Sequence, residues 1–445
     1  MSEGFFNPRE GDWRQRLAIT VSVMREVSAH TDPMKMNEVY TQRMVELLPI
    51  HRLLSISRRN LPPGRVRITR SNMWQEKINP WKQPELLPVV ESGFLVRLMS
   101  EGMPMFDNRF ELSSDDPAYP FLGGQKSLLA IPHYDNGEAL NMVVVTRGEE
   151  NAFTPDRFPE LVWMSNLFGR ATQAARLTEQ LRESAERTDH DNRVVGEIQK
   201  SLLPAAVPHI PTLDLAIYYQ SVDRAGGDYY DFLPLPDGRW GILIADVCGH
   251  GTPAAMLMAI THSLVKTYTG PAEPPGLLLS YINEHLCRHY TRGVGTFVTA
   301  MYGIYDPQAA TLTFANAGHN SARLIRSSDG SRRALGGRRQ VPLGIGEGAN
   351  YPEYTIPMIP GDQLLFYTDG ITDASNHRGE PYGTDRLDEA LSHGPVGAEA
   401  MIDAVLGSMS KFTNGCAARD DRTLVAIKLT GAKDTHRSAD APVRM

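Results

Sequence analysis

Cysteine is scarce: three residues in 445, Cys248, Cys287 and Cys416, with no paired spacing. That excludes a disulfide framework and a cysteine-type zinc site. Long hydrophobic runs are missing too. No apolar stretch reaches membrane-spanning length, and the opening MSEGFFNPREGDWRQR has no hydrophobic signal segment, so a cytoplasmic location without a membrane partner is expected. No dense basic stripe occurs and the formal net charge is −7, which argues against nucleic acid as a partner. What remains is a soluble globular composition on a chain too long for one compact core, so two or three domains are expected.

Residues 13–170 mix helix and strand signals. LAITVSVMREVSAH and MNEVYTQRMVELL repeat apolar residues at helical spacing, whereas HRLLSISRRN and RVRITRSN read as strands. SLLAIPHYDNGEALNMVVVTRG is two strands joined at Asp135-Asn136-Gly137, because Asn-Gly supplies the positive backbone angles of a tight turn. The order helix, strands, hairpin, closing helix resembles a GAF sensory domain. That resemblance implies a small-molecule or protein signal, although no His, Cys or Asp cluster in this part predicts a ligand.

A long helix is expected from Thr154, capped by that residue and with Pro155 in its first turn. Leu161, Met164, Phe168, Ala171 and Ala175 alternate three and four apart, Leu181 extends the stripe, and Val195, Ile198 and Leu202 resume it after the charged run LRESAERTDHDNR. Residues 171–203 read as a helical linker that ends at LLPAAVPHIP, where prolines stop it. Two readings stay open: a surface helix packed on its own domain, or a helix pairing with its twin in a homodimer.

From 204 to 430 the strands are plain: LDLAIYYQ, YYDFLPL, WGILIADV, TFVTAMYGIYD, ATLTFANAG, SARLIRS, DQLLFYTDG and RTLVAIKL. Helices are expected near Thr252–Tyr268, Pro275–Tyr290, Asp385–Ser392 and Gly397–Phe412. Many antiparallel strands with helices grouped between them predict an α+β fold, a two-sheet β-sandwich covered by helices. Residues 431–445 have little to bury and are expected to be a disordered tail.

The informative feature of this domain is where its aspartates fall. Asp228 lies in AGGDYYDF, Asp246 ends GILIADV, Asp369 ends QLLFYTDG, and Asp420 precedes the last strand in ARDDRTLVAI. A carboxylate closing a buried strand is costly unless positive charge meets it. Clustered carboxylates with oxygen donors suit Mg²⁺ or Mn²⁺. Taken singly each motif is ordinary: Asp369-Gly370 is a common turn dipeptide, Asp420-Asp421 a plausible solvated loop. GGD also opens the diguanylate cyclase signature, but Tyr229-Tyr230-Asp231 breaks that match.

Together GGDYYDF, ADVCGHGTPAAMLM, FANAGHN, PLGI, LLFYTDGITDASN and DDRTLVAI resemble the metal-dependent PPM (protein phosphatase 2C-like) phosphatases, in the bacterial SpoIIE/RsbU branch. EIQKSLLPAAVP resembles the segment that introduces that domain. The resemblance implies a serine/threonine phosphatase in which two metal ions share a bridging water that attacks phosphorus. It implies Asp246 as the bridging carboxylate, the Val247 carbonyl and Asp228 on one metal, and Asp369 and Asp420 on the other, with Mn²⁺ or Mg²⁺ as cofactor. Asp373, at the family's DGxxD spacing, is implied as a further metal ligand or a structural group.

Asp231 is expected to orient the first loop, His319 to be hydrogen-bonded at a strand end or to donate a proton, and His250 to touch phosphate. Cys248 is expected to be a small buried filler. The implied partners are a phosphoprotein substrate, such as an anti-anti-sigma (STAS) protein, the signal at the first domain, and a second copy through the linker helix. The competing reading is a catalytically inactive adaptor that acts by binding; it predicts degenerate metal residues, and none of the four aspartates is missing.

Overall fold

The computed structural model describes residues 13–47, 50–76, 78–155, 158–271, 274–293, 295–336, 340–393, 397–431 and 443–444. The chain divides into two compact units, Met1–Ala185 and Glu186–Met445.

In the first unit six strands form one antiparallel sheet: β1 (Arg52–Ser57), β2 (Val66–Ser71), β3 (Val89–Val90), β4 (Met105–Asp107), β5 (Ser127–Asp135) and β6 (Glu138–Arg147). Their order is β3-β2-β1-β6-β5-β4. The β5–β6 hairpin turns at Asn136 (φ 51°) and Gly137 (φ 84°), the left-handed pair that the Asn-Gly dipeptide predicts. Side chains alternate across the sheet. Leu54, Ile56, Ile68, Leu128, Met142 and Val144 pack on one face with α3 (Phe94–Glu101). Leu129, Ile131 and Val145 pack on the other, against Val23 and Val27 of α1 (Trp13–Ser28), Met36 and Val39 of α2 (Pro33–Leu47), and Leu161 of α5 (Phe158–Leu202). The short α4 (Tyr119–Leu122) completes the unit.

The predicted stripe on α5 holds for Leu161, Phe168 and Ala175, which join that core. It fails at Leu181, which is 72% exposed, and at Ile198, 58% exposed. Gly196 and Gln199 are the buried positions near the helix end. A polar and a small residue there conceal the docked face from a reading based on hydrophobic spacing.

The second unit is a sandwich of two five-stranded antiparallel sheets, as expected. One has the order β14-β11-β10-β9-β8, from β8 (Tyr229–Pro234), β9 (Trp240–Val247), β10 (Val298–Asp306), β11 (Thr311–Ala317) and β14 (Glu353–Pro357). The other is β13-β12-β15-β16-β7, from β7 (Leu213–Gln220), β12 (Ala322–Ile325), β13 (Arg332–Leu335), β15 (Gln363–Tyr367) and β16 (Arg422–Leu429). Helices α6 (Thr252–Thr267) and α7 (Pro275–His289) share the main core, which includes Ile242, Ile244, Phe366, Val425 and Ile427. Helices α8 (Asp369–Thr372), α9 (Gly383–Ala390) and α10 (Ala398–Thr413) serve the outer face of the second sheet through Leu365, Leu424 and Ala426.

Residues 432–442 and 445 of the expected tail lie outside the described residues. Arg444 lies beside β7, its amide donating to the Ile217 carbonyl and its carbonyl accepting from Tyr219. Among the described residues no helix is long and apolar enough to cross a membrane.

Candidate metal centre

Strand parity explains why acidic groups meet at one end of the sandwich. Phe366, Val425 and Ile427 face its interior, and Tyr230 faces it too, 6.1 Å from Tyr219 on the opposite sheet. Two residues along the same faces stand Asp228 beside Tyr230, Thr368 after Phe366, and Thr423 before Val425. Ile244 pairs with Tyr230, so Asp246 follows it on the same side. The apolar filling of the sandwich gives way at its rim to carboxylates and hydroxyls.

Asp228 is fully buried there, its Oδ2 accepting from Thr368 Oγ1 (2.9 Å) and Thr423 Oγ1 (2.6 Å). Asp369 opens α8, which is packed so closely on the chain before β16 that a side-chain carbon on Gly370 would lie 1.9 Å from the Asp421 carbonyl oxygen. Glycine is required at 370 by that approach. The Gly227 loop likewise passes the Val247 carbonyl, at 2.8 Å from where a side-chain carbon would stand. After β9 the chain turns through Gly249 (φ 96°) and Gly251 (φ 76°) into α6, as predicted.

Proton affinities report the crowding. Burial, then the negative charges of Asp228, Asp369, Asp420 and Asp421, pushes the Asp246 carboxyl up to about 10. Asp369 rises to about 6, from burial and then Asp420 and Asp373. Asp420 is raised by burial, with Asp421 adding repulsion and His250 opposing it. Asp228 is raised mainly by burial and by Asp421, against the two threonine hydroxyls. Asp373 is exposed; its amide donates to the Asp369 carbonyl at 2.7 Å.

Carboxylates that repel one another this strongly on rigid strand ends call for compensating positive charge. The donor set is oxygen throughout, four buried or half-buried carboxylates and the Val247 carbonyl, and fits a hard divalent ion. Among the described residues no three His, Cys, Asp or Glu groups stand at the spacing of a closed ion cage. The carboxylates sense one another without being drawn into one shell.

Asp421, which the sequence reading passed over, is the buried anchor of the site. Its Oδ1 accepts from Val222 N (2.8 Å) and its Oδ2 from Gly227 N (2.6 Å), tying the loop that carries Asp228 to the loop that carries Asp420. The second aspartate of the Asp420-Asp421 pair was the available signal. Gln199 of α5 was also missed. Its side-chain amide donates to Gly226 O (2.7 Å) and accepts from Gly226 N (2.8 Å), completing a two-bond clamp on the same loop. Gly196, where a side-chain carbon would fall 1.9 Å from the Arg224 carbonyl, lets the helix come that close. Asn192 accepts from Thr252 Oγ1 (2.9 Å) at the start of α6.

Several supporting expectations change. Cys248 is exposed, not a buried filler, because the loop after β9 carries it out into solvent; Cys287 is the buried thiol. Asp231 does not orient the first loop: it accepts from Tyr229 Oη (2.5 Å) and pairs with Lys266 Nζ (2.7 Å), pinning β8 to α6. His319 is buried with Nδ1 2.8 Å from Thr299 Oγ1, and burial pushes its pKa down to about 4. The hydrogen bond to Thr299 fits the strand-end role. His250 is exposed and 2.8 Å from Asp223 Oδ2, which raises its pKa. Arg224 pairs with Asp189 at 3.1 Å.

Comparison with known proteins meets this geometry. Residues 236–430 match the family model of stage II sporulation protein E (SpoIIE). The chain carries a SpoIIE-type PP2C phosphatase domain. Asp246, Asp369 and Asp420 lie inside the matched residues of this SpoIIE-type domain, and Asp228 just before them. Protein IcfG of Synechocystis is 25% identical over 256 residues, which span 52% of this chain but only 40% of IcfG. Phosphoserine phosphatase RsbU of Bacillus subtilis is 26% identical over 237 residues, 53% of this chain and 69% of RsbU. The solved SiaA-PP2C domain of Pseudomonas aeruginosa is 21% identical with a TM-score of 0.49, covering 55% of this chain and 98% of that one. PP2C-type phosphatases are metal-dependent enzymes.

Proposed function

We propose that the chain is a phosphoserine/phosphothreonine protein phosphatase that uses Mn²⁺ or Mg²⁺ and acts on a bacterial regulatory protein of the anti-anti-sigma (STAS) kind. The observation that carries this reading is the gathering of Asp228, Asp246, Asp369 and Asp420 at one rim of the sandwich, where the other three all raise the proton affinity of Asp246. Two divalent ions would supply charge compensation, a more acidic water and neutralisation of the phosphoryl oxygens. Asp246 and the Val247 carbonyl would hold them from β9, Asp228 from the first loop, and Asp369 and Asp420 from the facing sheet, with Asp373 at the solvent edge.

The chain's own contribution is placement. Thr368 and Thr423 orient Asp228, Asp421 fixes the first loop, and the close approach at Gly370 sets Asp369. Carboxylates fixed in this way would hold the ions without rearrangement at the reaction. RsbU and RsbP carry the name phosphoserine phosphatase, which supports the substrate class.

Regulation belongs to the same reading. The six-stranded sheet with helices on both faces supports a GAF-like sensor in the first unit. Trp163, Leu167, Leu177 and Leu181 are exposed on α5 at coiled-coil spacing, which supports pairing with a second copy. The other end of α5 clamps the Gly226 loop through Gln199, so a shift of the helix would move the backbone that carries Asp228.

The test is hydrolysis of a phosphoserine peptide by purified chain with Mn²⁺. Activity is expected, and both a chelator and Asp246→Asn should abolish it. Turnover that survives both would overturn the mechanism.

A further inference from the structure

One face of the first sheet changes character along its width. Leu129, Ile131 and Val145 are apolar and covered by helices, but across β1 and β2 the same face presents Ser55, Ser57, Arg67 and Thr69. Over these residues lies a cavity of about 730 Å³, bounded by the sheet, α2, α5 and the segment at Trp81. Six arginines line it: Arg58, Arg59, Arg67, Arg70, Arg170 and Arg176. Among the described residues, no aspartate or glutamate does.

Three of the six are compensated from outside the cavity. Arg58 pairs with Glu138, and Arg59 and Arg170 pair with Asp135. For Arg67, Arg70 and Arg176 no carboxylate partner stands among the described residues. The Nε atoms of Arg67 and Arg176 are buried without a hydrogen-bond partner. The Arg70 guanidinium lies 5.2 Å from the centre of the Trp81 ring, and burial lowers its pKa to about 10. His133 also lines the cavity, 2.6 Å from Ser165 Oγ; burial drives its pKa down to about 4, so the neutral ring adds no further positive charge. The rest of the wall is mixed: hydroxyls and amides such as Ser55, Thr69 and Asn166 stand beside an apolar part where Tyr40 stacks on Phe168 at 3.8 Å.

A buried guanidinium donor without an acceptor is costly, and like charges gathered around one space repel each other. An acidic group entering that space would satisfy the forked donors and cancel the charge. The volume matches a small molecule, and the apolar part of the wall, at Tyr40, Phe168, Leu129 and Ile131, suits a hydrophobic body behind the acid.

We propose that this cavity binds a small organic anion, a carboxylate or a phosphate-type group on an apolar body, with the anionic end on Arg67, Arg70 and Arg176. This assignment is independent of the phosphatase reading, and its test needs no turnover.

The full chain in chelator is titrated calorimetrically with 2-naphthoate, with 2-naphthylphosphonate and with the neutral 2-naphthylmethanol. One of the two anions is expected to bind once per chain, at least about tenfold more tightly than the alcohol, and to weaken about tenfold in Arg67→Gln and in Arg176→Gln. The tighter anion identifies the carboxylate or the phosphate-type source. Binding of neither anion, equal binding of the alcohol, or unchanged affinity in both variants overturns the proposal. A folding control keeps it exposed: Arg67→Met should raise the melting temperature of the ligand-free chain by about 2–4 °C, because an uncompensated cation is removed. A lower melting temperature would show that Arg67 serves the fold instead.

Discussion

The rim of the sandwich and the cavity of the first unit each gather one sign of charge, and they hold it differently. At the rim, short aspartate side chains sit on strand ends and tight loops, fixed by threonine hydroxyls, backbone amides and close glycine contacts. In the cavity, long arginine side chains reach over a sheet face, and two buried Nε atoms have no acceptor. The first arrangement fixes where charge sits to within the tolerance of the backbone, as chemistry requires. The second fixes only its sign, which is enough for recognition.

The sharpest way to break this contrast is to remove one carboxylate. Asp369→Asn should lower phosphopeptide turnover about 10²–10³-fold, while raising the thermal midpoint of the chain in chelator, since a repelling neighbour is gone. A fall in both would mean that Asp369 is structural. Next in size is the loss of an anchor that touches no ion. Asp421→Asn should weaken Mn²⁺ binding about 10–100-fold in a calorimetric titration, because the Gly227 loop loses an acceptor. Unchanged affinity would detach that loop from the site.

Backbone proximity comes third. Gly370→Ala should cost about 1–3 kcal/mol in urea denaturation, with turnover falling alongside; an unchanged midpoint would deny the close approach of α8 to the Asp421 carbonyl.

The last effect lies in the first unit and leaves turnover at neutral pH untouched, since it reads only on stability in acid. His133 is neutral when folded, with its pKa lowered to about 4 against an ordinary 6.5. Between pH 6.5 and 4 the unfolded chain therefore binds the extra proton, so stability is full above that window and declines through it, by up to about 3 kcal/mol. His133→Gln should flatten that decline in denaturation curves taken across the window. A decline as steep as in the parent chain would place its cause elsewhere.

Much of the second unit was legible because its strands alternate or run apolar and end on punctuation. β7, β9 and β16 coincide with LDLAIYYQ, WGILIADV and RTLVAIKL, and three of the four aspartates, Asp246, Asp369 and Asp420, stand where an apolar strand meets a loop. Two edge strands escaped: β13 and β14 are short and mostly exposed, so they bury too little to stand out as strands. Asp421, Gln199 and Gly196 escaped for another reason. Their work is done through backbone atoms far away in sequence, and a periodic pattern records only what a side chain buries. Cys248 was misread because its type suggests burial while its loop lies in solvent. The basic cavity was hidden as well, since its arginines come from the turn after β1, from β2 and from α5, and only the fold assembles them.

The most direct measurement is anomalous diffraction from crystals soaked in Mn²⁺. The account predicts manganese peaks at the sandwich rim in contact with Asp246, with Asp369 and Asp420 within coordination distance. Crystals that take up manganese only elsewhere, or show none at that rim, would contradict it.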